Sequence, residues 1–251
     1  MQPPPLEVVY ADDHIIAINK PPGLLVHRSA IDRHETRFAL QMLRDQVGQR
    51  VYPVHRLDKP TSGILLFALS PDCARQLSGQ FESREVTKLY LAVVRGHCPD
   101  EGVIDHPLSE KRDPMTDQKA QTDKPAQSAE TRYRRLAKVE LPLKVDRYPQ
   151  SRYSLLQLQP VSGRRHQLRR HLKHISHPII GDTTYGKSVH NRFFANEFGC
   201  RRLLLACTTL HLAHPVSGKR LNLSAGLDTE FTKSLLACNW HQQVPQLDRS
   251  R

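Results

Sequence analysis

The chain has 251 residues, enough for one large domain or two small ones with a sizeable apolar core. Its 38% hydrophobic content is ordinary for a globular protein, and no apolar run approaches the length of a membrane span. The N-terminus lacks the features of a signal peptide, and the five cysteines form no Cys-x-x-Cys pair. These features argue against membrane proteins, disulfide scaffolds and zinc fingers, and they predict a cytoplasmic protein with reduced, packed thiols.

The formal net charge of +12 is concentrated in one segment of the chain. Residues 131–220 carry 18 Lys and Arg against four Asp and Glu, whereas residues 1–130 carry 16 against 18. A charge run is usually a solvated face, but an imbalance of this size indicates a polyanionic partner, first of all nucleic acid. A membrane surface is the weaker alternative, because no amphipathic helix bearing Trp or Phe accompanies the charge.

Residue patterns in the first third of the chain predict a hairpin, a helix, a strand and a second helix. Residues 8–10 and 15–18 are short β-rich runs around an Ala-Asp-Asp-His turn. Apolar residues recur with helical spacing over 38–47, and residues 64–69 form an unbroken apolar run typical of a buried strand. Ser-Pro-Asp at 70–72 then starts a helix, because Pro and an acid are favourable in the first turn.

The rest of the chain predicts further strands and two further helices. We expect strands at 89–94, 131–141, 152–159, 203–205 and 210–212, and helices at 165–174 and 231–240. Residues 109–130 are polar and contain no aromatic residue, which predicts a mobile excursion rather than a linker between domains. Strands and helices alternate without a regular βαβ period, which favours an α+β fold.

One carboxylate, Asp58, lies in a turn rich in Pro, Thr, Ser and Gly, directly before a predicted strand. Its neighbours Arg56 and Lys59 are cations, and Thr61 and Ser62 are possible hydrogen-bond donors, so the acid is expected to stay ionised. An ionised acid suits a nucleophile or an electrostatic stabiliser better than a general acid. The alternative is a structural Asp that caps the turn and pairs with Arg56.

A second cluster of interest reads Arg-Arg-His-Gln-Leu-Arg at residues 164–169, near the start of a predicted helix. Long donors near a helix start can grip phosphates, and Arg binds phosphate through two parallel hydrogen bonds. Helical spacing gives this helix an apolar stripe and a basic stripe made of His166, Arg169, Arg170 and Lys173. The alternative is a solvated basic face.

Histidine and tyrosine residues allow weaker hypotheses. Histidines three residues apart occur twice, at His171, His174 and His177 and at His211 and His214. Such pairs can share a metal ion, but no Cys, Asp or Glu cluster completes a site, which favours RNA contact or core packing. Tyr90 is either a core aromatic or a platform for an unpaired base. The chain has no phosphate-binding glycine loop or dinucleotide fingerprint.

The turn at 55–63, His-Arg-Leu-Asp-Lys-Pro-Thr-Ser-Gly, resembles the catalytic motif of the RluA family of RNA pseudouridine synthases. Four other stretches are similar to further motifs of that family and follow in the family's order, namely 19–23, 88–90, 162–171 and 177–186. Within the family, the chain is most similar to members that modify tRNA. One departure is Leu-Ala-Cys at 205–207, where the family often has Leu-His-Ala.

The resemblance implies a pseudouridine synthase fold, with one catalytic domain over residues 1–251, a core at about 6–240 and no separate N-terminal RNA-binding module. A largely antiparallel central sheet would be flanked by helices and crossed by a cleft. The implied reaction breaks the C1′–N1 bond of a flipped uridine, turns the uracil and joins C5 to C1′. Asp58 would attack C6 or C1′, Arg169 would pair with Asp58, and Tyr90 would pack against the base.

The implied substrate is tRNA, at uridine 65 of the T stem. Arg56 would fill the gap left by the flipped nucleotide, and the expected RNA-binding residues are His55, Arg56, Arg164, Arg165, His166 and Arg170. No redox change or hydrolysis occurs, so neither metal nor cofactor is expected, and the protein is expected to act as a monomer without an obligatory protein partner. The alternatives are the same chemistry on another tRNA or an rRNA uridine, a non-catalytic RNA-binding or chaperone-like protein, and a metal-dependent nuclease.

Overall fold

Ten strands join into one sheet within the residues that the computed structural model describes, which are 4–28, 35–109 and 125–245. The strands are β1 (Glu7–Ala11), β2 (Ile15–Lys20), β3 (Tyr52–Pro53), β4 (Ser62–Ala68), β5 (Thr87–Arg95), β6 (Glu101–Asp105), β7 (Glu130–Leu141), β8 (Ser151–Pro160), β9 (Leu205–Ala213) and β10 (Arg220–Ser224). The helices are α1 (Ala39–Val47), α2 (Pro71–Glu82), α3 (Gln167–His174), α4 (Ser188–Glu197) and α5 (Thr229–Ala237).

The main path of the sheet runs β1-β2-β4-β9-β5-β8-β7-β6, with β3 beside β4 and β10 beside β9. Neighbouring strands are antiparallel apart from β4 and β9, which run parallel. The predicted α+β class and the largely antiparallel sheet are therefore confirmed. β4 is buried along its whole length, which explains why its sequence is a continuous apolar run.

Apolar side chains cover both faces of the sheet. In β5, Tyr90 and Val94 belong to one core cluster, whereas Leu91 and Val93, which point the opposite way, belong to the other. The first cluster also takes buried residues from α1, α2 and α3, and the second takes buried residues from α4 and α5. The central strands are thus held between two helical layers, and their ends can support a site.

The first two helices begin where the sequence predicts them, and the Ser70 hydroxyl caps α2 by accepting the Cys73 N–H at 3.2 Å. Other boundaries differ from the prediction. The helix expected at 165–174 begins at Gln167, because His166 has a left-handed backbone with φ of 54° and cannot continue a right-handed helix. The strand predicted at 203–205 overlaps β9 only at Leu205, whereas the strand predicted at 210–212 lies within β9. The closing helix predicted at 231–240 is α5, which ends at Ala237.

Most of the predicted mobile excursion, residues 110–124, lies outside the described residues. After it, Gln127 and Leu108 exchange two backbone hydrogen bonds of 2.9 and 3.0 Å, and Ala129 is buried. All five cysteines are free and buried, as predicted. Across the described ranges, the helices are too short or too polar for a membrane span.

Candidate active site

A cavity of about 870 Å³ brings together the Asp58 turn, β5, the end of β8 and the start of α3. All nine site residues named from the sequence line it, namely His55, Arg56, Asp58, Tyr90, Arg164, Arg165, His166, Arg169 and Arg170. A second cavity of about 920 Å³ shares the wall formed by Asp58, His166 and Arg169, but Tyr90 does not line it. Asp58 therefore lies between two openings, of which one contains the aromatic ring.

The turn that carries Asp58 is fixed by its entry into the sheet. The Thr61 N–H donates to the Asp58 carbonyl at 3.0 Å, which closes the turn. Gly63 then adopts a φ of 106°, and a Cβ there would lie 2.0 Å from the carbonyl oxygen of Cys207 on β9. Because β4 and β9 approach so closely, only glycine fits at this position, which explains the Gly of the motif.

Lys20 also holds the turn in place, although the sequence reasoning gave it no role. Its fully buried ammonium donates to the carbonyl oxygens of Pro21, Leu24 and Lys59 at 2.9, 2.8 and 3.1 Å. Burial and the nearby Arg202 charge lower its pKa to about 7. The signal available in the sequence was the family-like stretch at 19–23, which contains this lysine.

The charges around Asp58 differ from those expected of its sequence neighbours. Lys59 extends away to Glu35, with 2.9 Å between Nζ and Oε1. The Ser62 hydroxyl accepts a hydrogen bond from Arg202 at 2.9 Å rather than donating to Asp58. The described ion pairs of Asp58 come from the more distant residues His166 and Arg169, as expected for Arg169, and not from Arg56 as in the structural alternative.

Arg169 is the closest of these partners, and it links two carboxylates. Its Nε and Nη2 donate to Asp182 at 2.7 and 2.9 Å, while Nη1 lies 3.5 Å from Oδ2 of Asp58. The two-pronged pair with Asp182 fixes the guanidinium plane and directs Nη1 at Asp58. The side chain is only 4% exposed, so the alternative of a solvated basic face does not hold for Arg169.

Asp182 is held as firmly as the arginine that it orients. Its Oδ1 accepts the backbone N–H groups of Thr184 and Tyr185, both at 2.9 Å, and Asn191 of α4 donates to its carbonyl. Burial tends to raise the pKa of Asp182, but the hydrogen bonds from Arg169 and from the backbone hold that pKa below its ordinary value of 3.8. The sequence reasoning missed this role, although Asp182 lies in the family-like stretch at 177–186.

Tyr90 projects from β5 into the first cavity and is 8% exposed. Burial and a hydrogen bond with the Cys207 thiol raise the pKa of its hydroxyl well above 10.0. Burial also raises the pKa of Cys207 to about 12, so both groups keep their protons at neutral pH. The cysteine that departs from the family pattern therefore contacts the tyrosine of the site.

His166 turns its ring across the wall between the two cavities. Its Nδ1 lies 3.0 Å from the Tyr185 hydroxyl, and its Nε2 lies 3.9 Å from Oδ1 of Asp58. Gln167, which follows it, is buried and accepts the Arg164 N–H at 3.0 Å, so the backbone around His166 is anchored. Burial lowers the pKa of His166, and the Asp58 carboxylate opposes that shift.

His55 uses its ring for contacts within the protein. Its Nε2 accepts the Leu66 N–H at 3.0 Å, and its ring stacks on Phe81 with 4.8 Å between centroids. Burial and the charge of Lys88 lower its pKa to about 3, so the imidazole is neutral. These contacts hold the chain that leads to Asp58, and an RNA contact of His55 at the cavity stays a prediction.

The remaining arginines place positive charge around the mouth of the cavity. Arg56 and Arg165 are exposed and line both cavities. Arg164 and Arg170 are half-buried and donate, at 3.3 and 2.9 Å, to backbone carbonyls on the two sides of the connection between β6 and β7. Four guanidinium groups at one opening form a surface suited to phosphates.

The histidines at three-residue spacing are used for packing and hydrogen bonding. His174 stacks on His106 with 3.8 Å between centroids, and His171 lies 3.0 Å from both the Thr131 hydroxyl and the His106 carbonyl. In the described part of the chain, no group of three or more His, Cys, Asp or Glu residues is placed to hold a metal ion.

Residues 14–174, more than half of the chain, match the model of a family described as RNA pseudouridylate synthase. A fold of this kind, with a carboxylate and an arginine in a cavity rimmed by positive charge, is that of an RNA-modifying isomerase. The chain belongs to the RNA pseudouridylate synthase family, as its motifs predicted.

Curated relatives match almost the entire chain. It is 51% identical over 244 residues to tRNA pseudouridine synthase C of Yersinia pestis, covering 97% of this chain and 95% of the relative. It is 48% identical over 239 residues to tRNA pseudouridine synthase C of Vibrio cholerae serotype O1, covering 95% and 98%.

Solved structures confirm the predicted fold. Human RNA Pseudouridylate Synthase Domain Containing 4 superimposes with a TM-score of 0.70 at 27% identity, covering 93% of both chains. Human RNA Pseudouridylate Synthase Domain Containing 1 gives 0.69 at 27% identity, covering 95% of this chain and 90% of the other.

Proposed function

We propose that this protein isomerises uridine to pseudouridine in tRNA, at uridine 65 of the T stem, with Asp58 as the nucleophile. The observation that carries the proposal is the carboxylate of Asp58, 17% exposed and 3.5 Å from Arg169, in the wall of a cavity that Tyr90 also lines. The tRNA substrate is supported by the names of the relatives, which align over nearly their full lengths. The position of the uridine rests on the resemblance to tRNA-modifying members of the family.

The cavity is large enough for a flipped nucleoside, since its volume of about 870 Å³ lies in the range of ligand sites. The uracil enters on the Tyr90 side and packs against that ring. Asp58 then attacks either C6 of the base or C1′ of the ribose. Arg169, held by two hydrogen bonds to Asp182, directs its Nη1 atom at the Asp58 carboxylate, so its positive charge lies beside the reacting atoms.

The arginines at the cavity mouth bind the RNA backbone. Arg164, Arg165 and Arg170 contact phosphates, and Arg56, which lines both cavities, occupies the gap left by the flipped nucleotide. Each neutralised phosphate releases counterions, so the affinity for tRNA falls steeply with salt concentration.

The isomerisation transfers no electrons to an acceptor and adds no water, so the proposed reaction needs no metal or cofactor. We also propose that the protein acts as a monomer without an obligatory protein partner. We place this activity in the cytoplasm, where a tRNA substrate would be met.

Chemical mapping of pseudouridine in tRNA, with wild type and with Asp58→Asn, tests this proposal. Asparagine keeps the shape of the side chain but cannot act as the nucleophile, so we expect the rate to fall by about 10³-fold or more. Asp13→Asn, in the exposed turn between β1 and β2, is the matched control and should modify tRNA normally.

Four outcomes would contradict the proposal in different ways. Undiminished pseudouridine with Asp58→Asn would exclude the nucleophile. Modification of another tRNA uridine, or of rRNA alone, would exclude uridine 65. Binding of tRNA without modification by wild type would indicate an RNA-binding protein. Chelator-sensitive cleavage of the RNA would indicate a nuclease.

A further inference from the structure

The proposed isomerisation also requires that a proton be removed from C5 of the uracil. The role inferred for His166 rests on that proposed function. When C5 attacks C1′, it still carries its hydrogen. That hydrogen leaves as a proton, and the electrons of the C5–H bond restore the double bond of the ring. N1 keeps the electron pair of the broken glycosidic bond and takes up a proton. The reaction is balanced without a co-reactant, but it needs a group beside Asp58 that accepts the proton from C5.

Two titratable groups near Asp58 are poorly suited to this task. The hydroxyl of Tyr90 is hydrogen-bonded to Cys207 in a buried setting, and it holds its proton at neutral pH. The Nε2 atom of His55 already accepts the Leu66 N–H, which leaves no lone pair at that atom for a substrate. After attack at C6, Asp58 remains bound to the base, and after attack at C1′ its carboxylate is released only when C5 displaces it.

We propose that His166 is the catalytic base that removes the proton from C5. Its Nε2 lies 3.9 Å from Oδ1 of Asp58, so an atom of the nucleoside that lies beside the carboxylate also lies within reach of the imidazole. The neutral ring accepts the proton at Nε2 and becomes an imidazolium. It then returns a proton to N1 or to water, which restores the enzyme.

The contacts of His166 hold the ring in the form that this step requires. Nδ1 lies 3.0 Å from the Tyr185 hydroxyl; when Nδ1 carries the proton and donates to that oxygen, the lone pair of Nε2 faces the cavity. His166 has a left-handed backbone directly before α3, and its ring lies beside Asp58. Such a conformation is unfavourable for most residues, and the buried Gln167 side chain anchors the chain beside it.

The charges around the ring suit a group that gains and loses a proton. Asp58 and Asp182 favour the imidazolium, whereas Arg165 and Arg169 oppose it. Burial, the largest effect, favours the neutral ring, so the base is available near neutral pH. The Asp58 carboxylate then lies close to the positive charge that the proton transfer creates.

The variant His166→Asn tests the proposal with little disturbance of the backbone, because Asn tolerates the left-handed region. We expect single-turnover pseudouridine formation to slow by about 10²-fold or more, the usual contribution of a general base. The tRNA dissociation constant should stay within about threefold of wild type. Tyr185→Phe leaves the imidazole but removes its Nδ1 partner. Its single-turnover rate should lie between those of wild type and His166→Asn.

The decisive measurement compares tRNA containing [5-²H]uridine with unlabelled tRNA. If His166 removes the proton, this step becomes rate-limiting in His166→Asn, and a deuterium isotope effect larger than that of wild type appears. The pH–rate profile should also change: the acid-side fall that reports protonation of the base should be lost in the variant.

Either of two results would overturn the inference: a wild-type rate in His166→Asn, or a slow rate with no increase in the isotope effect. Weakened tRNA binding without an isotope effect would make His166 an RNA contact only. Failure of the proposed function is distinguishable from all of these, because wild type would then form no pseudouridine in tRNA.

Discussion

Two buried arginines lie near the Asp58 turn, and their surroundings differ. Arg169 gives two hydrogen bonds to Asp182 and keeps its remaining nitrogen, Nη1, facing Asp58 in the cavity wall. Arg202 gives its hydrogen bonds to two backbone carbonyls near the start of β9, to a hydroxyl of β4 and to Asp228. Their side chains are 4% and 6% exposed, so burial does not distinguish them.

Arg169 therefore acts on the site, whereas Arg202 stabilises the structure that carries it. Asp228 caps α5, so Arg202 connects that helix with β4 and β9 directly behind the Asp58 turn. A buried ion pair adds little stability on balance, but removing one partner commonly costs about 3–5 kcal/mol. Loss of Arg202 should therefore appear in stability, and loss of the Arg169 fork should appear in catalysis.

The largest effect is expected for Arg202→Met, which keeps an unbranched but shorter side chain and removes every donor. The Ser62 hydroxyl and the carbonyls of Leu203 and Leu205 would lose partners in a buried setting. We expect the free energy of unfolding to fall by about 3 kcal/mol or more, measured by urea denaturation. The folded fraction should form pseudouridine at a rate within a few-fold of wild type. Unchanged stability would show that these groups find other partners.

Arg169→Lys tests the role of the arginine that faces Asp58. Lysine keeps the charge but cannot make the two-pronged contact with Asp182, so the cation facing Asp58 loses its fixed direction. We expect kcat to fall by about 10²-fold, because a shift of about 1 Å at a reacting group can cost that much. The dissociation constant for tRNA should change far less.

Arg202→Lys is the matched control for Arg169→Lys. It makes the same chemical change in the arginine that does not face Asp58, so it should leave kcat of the folded protein near wild type. An affinity loss with normal turnover in Arg169→Lys would instead make Arg169 a phosphate contact.

Local sequence patterns were sufficient to predict those helices and strands whose formation depends on nearby residues. Apolar spacing predicted α1 and α2, and Ser70 caps α2 as its position indicated. The same reasoning found β4 but did not find α4, which has no side-chain N-cap and no clear apolar stripe. It also divided β9 in two, because the polar residues Thr208 and Thr209 interrupt its apolar pattern.

In the site, the sequence predicted the residues but not all of their side-chain contacts. The motifs named nine residues that the fold brings to one cavity. They did not indicate that Asp182 is the main partner of Arg169, nor that Lys20 holds the Asp58 turn, because both contacts depend on how separate segments pack. The solvated basic face stayed an alternative for α3 for the same reason: helical spacing places residues on one face but does not identify what covers that face.

The smallest predicted effect is on the free energy of unfolding at acid pH. It tests Asp182, the buried partner of Arg169. The pKa of Asp182 is lower in the folded protein than its ordinary value of 3.8, so between these two values the unfolded chain binds more protons. The stabilisation is therefore present above pH 3.8 and is lost as the pH falls through the folded pKa. In Asp182→Asn, the free energy of unfolding should depend less steeply on pH below about 4 than in wild type.

Urea denaturation across this range measures the slope, which remains informative even though the variant is less stable at every pH. Asp13→Asn, an exposed site, should keep the wild-type slope, and equal slopes in all three proteins would remove Asp182 as the acid-sensitive group.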